Sequence, residues 1–196
     1  MAQIDKPNEY FNTVLYTGNG STQSISGVNF RPDFTWIKDR TTANSHYSAN
    51  SIMGANISLP TNGTNAEITN NAYGYMTSFD SDGFSLTNGA SGSETVNFSG
   101  DNYVSWNWLA SNTTASNTSG SITSTVSANT TSGFSIVSYT GTGSVSTIGH
   151  SLGSTPACII IKNRTDVTGW TVYHKILTGT SSLGLDTTNT TNTGIG

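Results

Sequence analysis

The chain has 196 residues, room for one large domain or two small ones, and 104 of them are Ser, Thr, Asn or Gly. That composition disfavours helix, because Ser, Thr and Asn compete with the helical backbone for hydrogen bonds and Gly costs up to about 1 kcal/mol per helical position, while aromatics at 10% argue that something packs. A formal charge of −4 with only seven Lys and Arg leaves no electrostatic footprint for nucleic acid or anionic lipid.

The N-terminal Met1-Ala2-Gln3-Ile4-Asp5-Lys6-Pro7 lacks the apolar stretch of a secretory signal, and the longest apolar run, Ala157 to Ile161, falls far short of the roughly 20 residues of a membrane helix. These features predict a soluble chain folded in a reducing compartment. Period-two alternation then predicts strands, with Val14 and Tyr16 on one face and Phe34 and Trp36 on another. Gly-rich turns punctuate them: Thr17-Gly18-Asn19-Gly20 follows the first strand, and Asp82-Gly83 marks a hairpin between Met76–Phe79 and Phe84–Leu86. Val104, Trp106 and Trp108 form a face ready for burial, with Ser105 and Asn107 pointing the other way. Core is the expected place for Trp36, Trp106 and Trp108, and the alternative is an exposed aromatic platform that stacks on sugars. Ser111–Gly120 has the composition of a flexible linker. Beyond it, Val137 with Tyr139, Trp170 with Val172, and Leu183 with Leu185 continue the strand pattern. Cys158, the only cysteine, excludes an intrachain disulfide and reads as a small buried apolar residue.

The chain repeats itself. Phe11, Val14, Tyr16, Thr17, Gly18, Gly20, Ser21 and Ile25 return 123 positions later as Phe134, Val137, Tyr139, Thr140, Gly141, Gly143, Ser144 and Ile148. After a one-residue insertion the offset is 124, and Pro32, Ile37, Lys38, Arg40 and Thr41 return as Pro156, Ile161, Lys162, Arg164 and Thr165, with Asp39 answered by Asn163. The predicted architecture is all-β, two tandem β-sandwich modules of jelly-roll or lectin-like type. Residues 1–110 form the first, 111–120 the Ser/Thr/Asn-rich linker, and 121–196 a second, incomplete copy. At the observed offset the counterpart of Met76–Leu109 would begin just past residue 196. Either the natural protein continues, or a neighbouring chain completes the copy.

Four groups of residues invite a chemical reading. Gly149-His150-Ser151-Leu152-Gly153 fits the nucleophile-elbow pattern, and Asp166 and His174 follow in the order of a hydrolase triad. An elbow needs a helix after the Ser, whereas Ser154-Thr155-Pro156 and the strand-like Ala157–Ile161 come next, so a Gly-flanked turn is the expected structure. Asp80-Ser81-Asp82-Gly83 begins like a calcium loop, but the twelfth position is Ser91, which leaves a hairpin turn as the reading. A cation site that recruits Asp101 has no sequence support. His46, His150 and His174 lack ligand spacing, and the repeated Lys38-Asp39-Arg40 and Lys162-Asn163-Arg164 read as strand-end charges that protect an edge. Nine N-x-Ser/Thr sequons, at Asn97, Asn112 and Asn163 among others, are expected to be unused without a signal peptide.

The strings Phe30-Arg31-Pro32-Asp33-Phe34-Thr35-Trp36-Ile37-Lys38-Asp39-Arg40, Thr77–Phe84 and Tyr103-Val104-Ser105-Trp106-Asn107-Trp108 resemble one copy of a repeat in virion structural proteins of marine tailed bacteriophages. Phe134–Tyr139 with Thr147–Gly153 and Trp170–His174 resembles the next copy. The resemblance implies a lectin-like virion protein and assigns no catalytic, metal-binding or ligand-binding residue and no cofactor. The function expected is a non-enzymatic tail-fibre or tail-associated component, assembled in the host cytoplasm and presented to host-surface glycans. Its partners would be other virion proteins and copies of itself, with a trimer favoured. A capsid decoration or head-fibre protein is the alternative, and a serine esterase acting through Ser151 a remote one.

Overall fold

The structure is a computed structural model that describes residues 4–177 and 181–188, and over them the protein is all-β. Apart from the 3-10 turn Pro7–Glu9, every regular element is a strand. Nine strands fall before residue 110: β1 (Phe11–Thr17), β2 (Gln23–Ser26), β3 (Phe34–Asp39), β4 (Tyr47–Asn50), β5 (Ile57–Ser58), β6 (Ile68–Thr69), β7 (Tyr75–Asp80), β8 (Gly83–Thr87) and β9 (Asn102–Trp108). They build an antiparallel sheet in the order β1-β9-β3-β4, a second in the order β2-β8-β7, and the small β5-β6 ribbon. The two larger sheets share one core, in which Ile37, Met76, Phe84, Leu86, Val96 and Tyr103 are completely buried. Truncating any of the large aliphatic or aromatic side chains there to Ala should cost about 2–5 kcal/mol.

Turn chemistry explains how the sheets close. Asp80 pairs with Gly83, so Ser81 and Asp82 make the expected hairpin. Gly83 sits at φ +152°, and a Cβ there would lie 1.9 Å from the Ile25 carbonyl oxygen, so only glycine lets β8 pass this close to β2. Asp82 ties the hairpin to the β2–β3 loop by accepting from Gly27 N at 3.0 Å and Asn29 N at 2.6 Å.

One sequence expectation is reversed at two of its three residues, Val104 alone being buried as expected. On β9 the side chains buried between the sheets are Tyr103, Ser105 and Asn107, each 0% exposed, while Trp106 and Trp108 stand half-buried on the outer face. Hydrogen bonding makes the polar face an acceptable interior. Asn107 Nδ2 donates to Ser105 Oγ (3.0 Å) and to Asn12 O (3.2 Å), and Thr35 Oγ1 donates to Asn107 Oδ1 (3.1 Å).

The second part of the chain forms two three-stranded sheets. One has the order β10-β11-β12, from Ala115–Asn117, Ser124–Asn129 and Phe134–Tyr139, and the other β13-β14-β15, from Cys158–Lys162, Trp170–His174 and Leu183–Gly184. The segment read as a flexible linker therefore contains a paired strand, because Ala115–Asn117 ladders onto β11. Asp33 anchors its start. This carboxylate is 0% exposed, and its Oδ2 accepts from Ala110 N at 2.8 Å and Asn112 N at 2.9 Å. Cys158, expected in the interior, is exposed, since among the described residues no layer covers β13. Residues 189–196, the end of the segment expected from the sequence to be an incomplete second copy, lie outside the described residues.

The repeat is visible in single hydrogen bonds. Asp39 Oδ1 accepts from Thr41 N and Thr42 N at 2.8 and 3.0 Å, and Asn163 Oδ1 accepts from Thr165 N and Asp166 N at 2.8 and 3.1 Å. Lys38 and Lys162 each bend back over that turn, their ammonium groups donating to the carbonyls of Thr42 (3.2 Å) and Asp166 (3.4 Å). The recurring charged triplet thus caps a turn at the end of a strand. Contacts between the two parts are specific too. Trp170 is buried, and its indole donates to Pro60 O and Gly63 O at 3.0 and 3.2 Å, while Arg164 Nε meets Glu67 Oε2 at 2.7 Å.

Candidate functional site

The outer face of the β1-β9-β3-β4 sheet carries the densest group of aromatic rings on the molecule's partly exposed surface. Pairing register places Trp36 opposite Trp106, and Trp108 opposite both Phe34 and Phe11, so these five side chains share one face. Ring centroids lie 5.9 Å apart for Trp36–Trp106, 5.3 Å for Phe34–Trp108 and 4.8 Å for Phe11–Trp108. Phe134, from β12, stacks on Trp108 at 6.1 Å and covers that end of the row. Trp36 and Trp106 lie at the other end, beside His46, and Leu15 on the same face is 62% exposed.

His46 orients this end. Its Nδ1 accepts from the Trp36 indole N–H at 3.2 Å and lies 3.1 Å from Thr61 Oγ1, while its backbone N–H donates to Asn62 Oδ1 at 2.9 Å. Burial, helped by the Lys38 ammonium, lowers the His46 pKa below its ordinary value, so the ring is neutral at pH 7 and available as an acceptor. The arrangement sets two flat indole faces beside an imidazole, a hydroxyl and a carboxamide. Amphipathic rings of this kind bind ligands that are apolar on one side and polar at the edge.

The motifs singled out in the sequence lie elsewhere. Ser151 occupies a bend at φ +60°, and Asn117 Nδ2 donates to its Oγ at 2.7 Å. Gly149, two residues earlier, packs against the Asn117 carboxamide, which would have to move aside for a Cβ there, 2.0 Å from its Oδ1. His150 Nδ1 accepts from Leu152 N (3.2 Å), His174 Nδ1 from Ile176 N (3.3 Å), and Asp166 Oδ2 from Asn163 Nδ2 (2.9 Å). Among the described residues no hydrogen bond joins Ser151 to any of these three. Asp80 accepts from Ser78 and Ser85, and Asp101 from Thr42, so the three acidic residues considered for a cation are occupied in separate local contacts or, for Asp82, in the loop contact described above. No group of three or more His, Cys, Asp or Glu converges on a metal-sized space among the described residues. Asn97 is completely buried, with its Oδ1 accepting from Asn19 N at 3.0 Å, which denies a glycosyltransferase access in the folded chain.

Sequence reasoning missed the role of Asp33. The signal was available in Pro32-Asp33-Phe34, an acidic residue inside an apolar strand start, and its loss at the repeat position, where Ala157 stands, marks the anchor as peculiar to the first copy.

Fold and site together define a class: an all-β protein whose two larger N-terminal sheets share a core and present an aromatic outer face. The sequence comparison adds the family. The family described as a domain of unknown function (DUF7483) matches residues 6–195, and the chain belongs to it. No curated protein and no solved structure matches.

Proposed function

We propose that the protein is a non-enzymatic virion component of tailed-phage type, tail-associated, that meets host-surface glycans through the outer face centred on Trp36 and Trp106. The observation that carries this reading is the pair of half-buried indoles, 5.9 Å apart and bordered by His46, Thr61 and Asn62, on a surface otherwise rich in uncharged polar residues. Indole faces complement the C–H faces of a sugar ring, and the neighbouring acceptors and donors complement its hydroxyls. The phage-like strings supply the setting. Copies of the chain, as a trimer or another closed ring, would multiply a weak single-site affinity.

Gold-labelled antibody against the chain, applied to intact tailed particles of the phage that encodes it, tests the virion assignment. Label on the tail is the expected result. Label over the head shell would favour a capsid decoration protein, and absence from the particle would overturn the reading.

A further inference from the structure

β13 stands where β3 stands in the first copy, and the equivalence reaches individual hydrogen bonds. Ser51 N donates to Asp33 O at 2.7 Å, and Lys175 N donates to Ala157 O at 2.8 Å, the same bond displaced by 124 residues at both ends. In an antiparallel ladder, successive residues turn their peptide groups to opposite neighbours. The Asp33 carbonyl and the peptide groups of Thr35 and Ile37 therefore face β4, while Trp36, Lys38 and Arg40 face β9, as the 2.7 Å bond from Arg40 N to Asn102 O shows; at the strand start the Asp33 N–H already turns to Trp108 O on β9, at 2.8 Å. By the same alternation Cys158, Ile160 and Lys162 turn their peptide groups away from β14. Among the described residues β14 is the only strand laddered to β13, so those groups look onto an open edge.

Side-chain burial agrees. Ile159, Ile160 and Ile161 are 39%, 49% and 42% exposed, whereas Ile37, at the position of Ile161, is 0% exposed. In the first copy β9 lies between β1 and β3; in the second, β12 and β13 belong to separate sheets, and Arg164, two residues past β13, reaches Ser138 Oγ on β12 with its Nη1 at 3.4 Å. Three consecutive apolar residues along an open strand edge form a template for strand addition.

We propose that the open edge of β13 accepts a strand donated by a partner polypeptide, and that the donor has the chemistry of β9. The donor is an extended, uncharged segment in which aromatic or branched residues alternate with Ser, Thr or Asn, laid antiparallel to β13. The occupant is read from the repeat, which puts such a strand, Asn102–Trp108, against the equivalent edge of β3. A second copy of the chain is a poorer donor, because its own β9 is already laddered on both sides by β1 and β3.

The test is a titration of the full chain with a synthetic peptide of sequence Asn-Tyr-Val-Ser-Trp-Asn-Trp carrying charged solubilising ends, read by residue-resolved amide hydrogen exchange. The expected result is saturable binding with exchange slowed by about tenfold or more at Ile160 and Lys162, while Ile159 and Ile161, already facing β14, change little. Ile160→Pro removes one of the edge donors and should abolish binding; if that variant does not fold, a peptide N-methylated at alternate residues should likewise fail to bind. Unchanged exchange at Ile160 and Lys162, or protection confined to β1 and β3, would overturn the proposal. So would protection of the same two amides, without peptide, that rises with protein concentration, since a second copy would then be the occupant.

Discussion

Replacing Asp33 by Ala removes one side chain that holds three donors from two parts of the chain. Its Oδ1 accepts from Ser51 Oγ at 2.6 Å, and its Oδ2 accepts from the backbone N–H groups of Ala110 and Asn112. A hydrogen bond to a charged group contributes about 1.5–3 kcal/mol, and a buried N–H left without an acceptor costs about 1–3 kcal/mol. Ser51 can rotate toward another partner, so the two backbone donors set the scale. Ala110 N lies in the interior and retains most of its penalty, whereas Asn112 is exposed and can turn to water. The expected loss is about 3–5 kcal/mol, which for a protein of this size lowers Tm by roughly 6–20 °C. Asp33→Asn should cost less, because its single oxygen can still face the two backbone donors while its amide faces Ser51. Differential scanning calorimetry of both variants is the assay, accompanied by hydrogen exchange across β10 and β11. Exchange at Ala115–Asn117 should quicken in Asp33→Ala before the core opens. A Tm within 2 °C of wild type, with those amides still protected, would refute the claim that Asp33 anchors the connection.

Gly83→Ala should lower stability by more than 1 kcal/mol, because the added Cβ meets the Ile25 carbonyl and the positive φ is strained for any L residue, and urea denaturation would show it as a lower midpoint at an unchanged slope. His46 has a lowered pKa in the folded state, so the folded form resists protonation; its contribution is complete above the unfolded value of 6.5 and is lost as pH falls through and below it, and the pH dependence of stability between about 7 and 5 should weaken in His46→Gln. Ser151→Ala should leave the hydrolysis of a chromogenic ester indistinguishable from wild type, with both at the buffer rate; activity that disappears in the variant would restore the triad reading.

The fold class was legible because period-two alternation and Gly-centred turns act locally, as at the Asp82-Gly83 hairpin. The repeat was legible because its matches fall on scarce residues such as Phe11, Tyr16 and Pro32 rather than on the abundant Ser and Thr. The facing of β9 was not. Val104-Ser105-Trp106-Asn107-Trp108 presents the larger apolar area on the Trp side, and hydropathy alone sends that side inward. Burial of Ser105 and Asn107 becomes acceptable only through partners on β1 and β3, Asn12 O and Thr35 Oγ1, that are 95 and 72 residues away in the chain. The order of the linker segment was hidden for the same reason: Ser111–Gly120 is held at its start by Asp33, 77 and 79 residues from the amides it binds. The candidate site was legible as residues and not as a surface, since the hydropathy of Trp36 and Trp106 alone points them to the core.

The proposed sugar-binding role of the Trp36–Trp106 face is tested directly by a glycan array probed with the wild-type chain and with Trp36→Ala. Both residues are half-buried on the outer face, outside the shared core, so Trp36→Ala should keep a cooperative unfolding transition. The expected result is a defined set of glycans bound by wild type and at least about tenfold weaker binding in the variant, equivalent to ~1.4 kcal/mol. Equal binding by the two proteins, or no glycan bound by wild type, would contradict it.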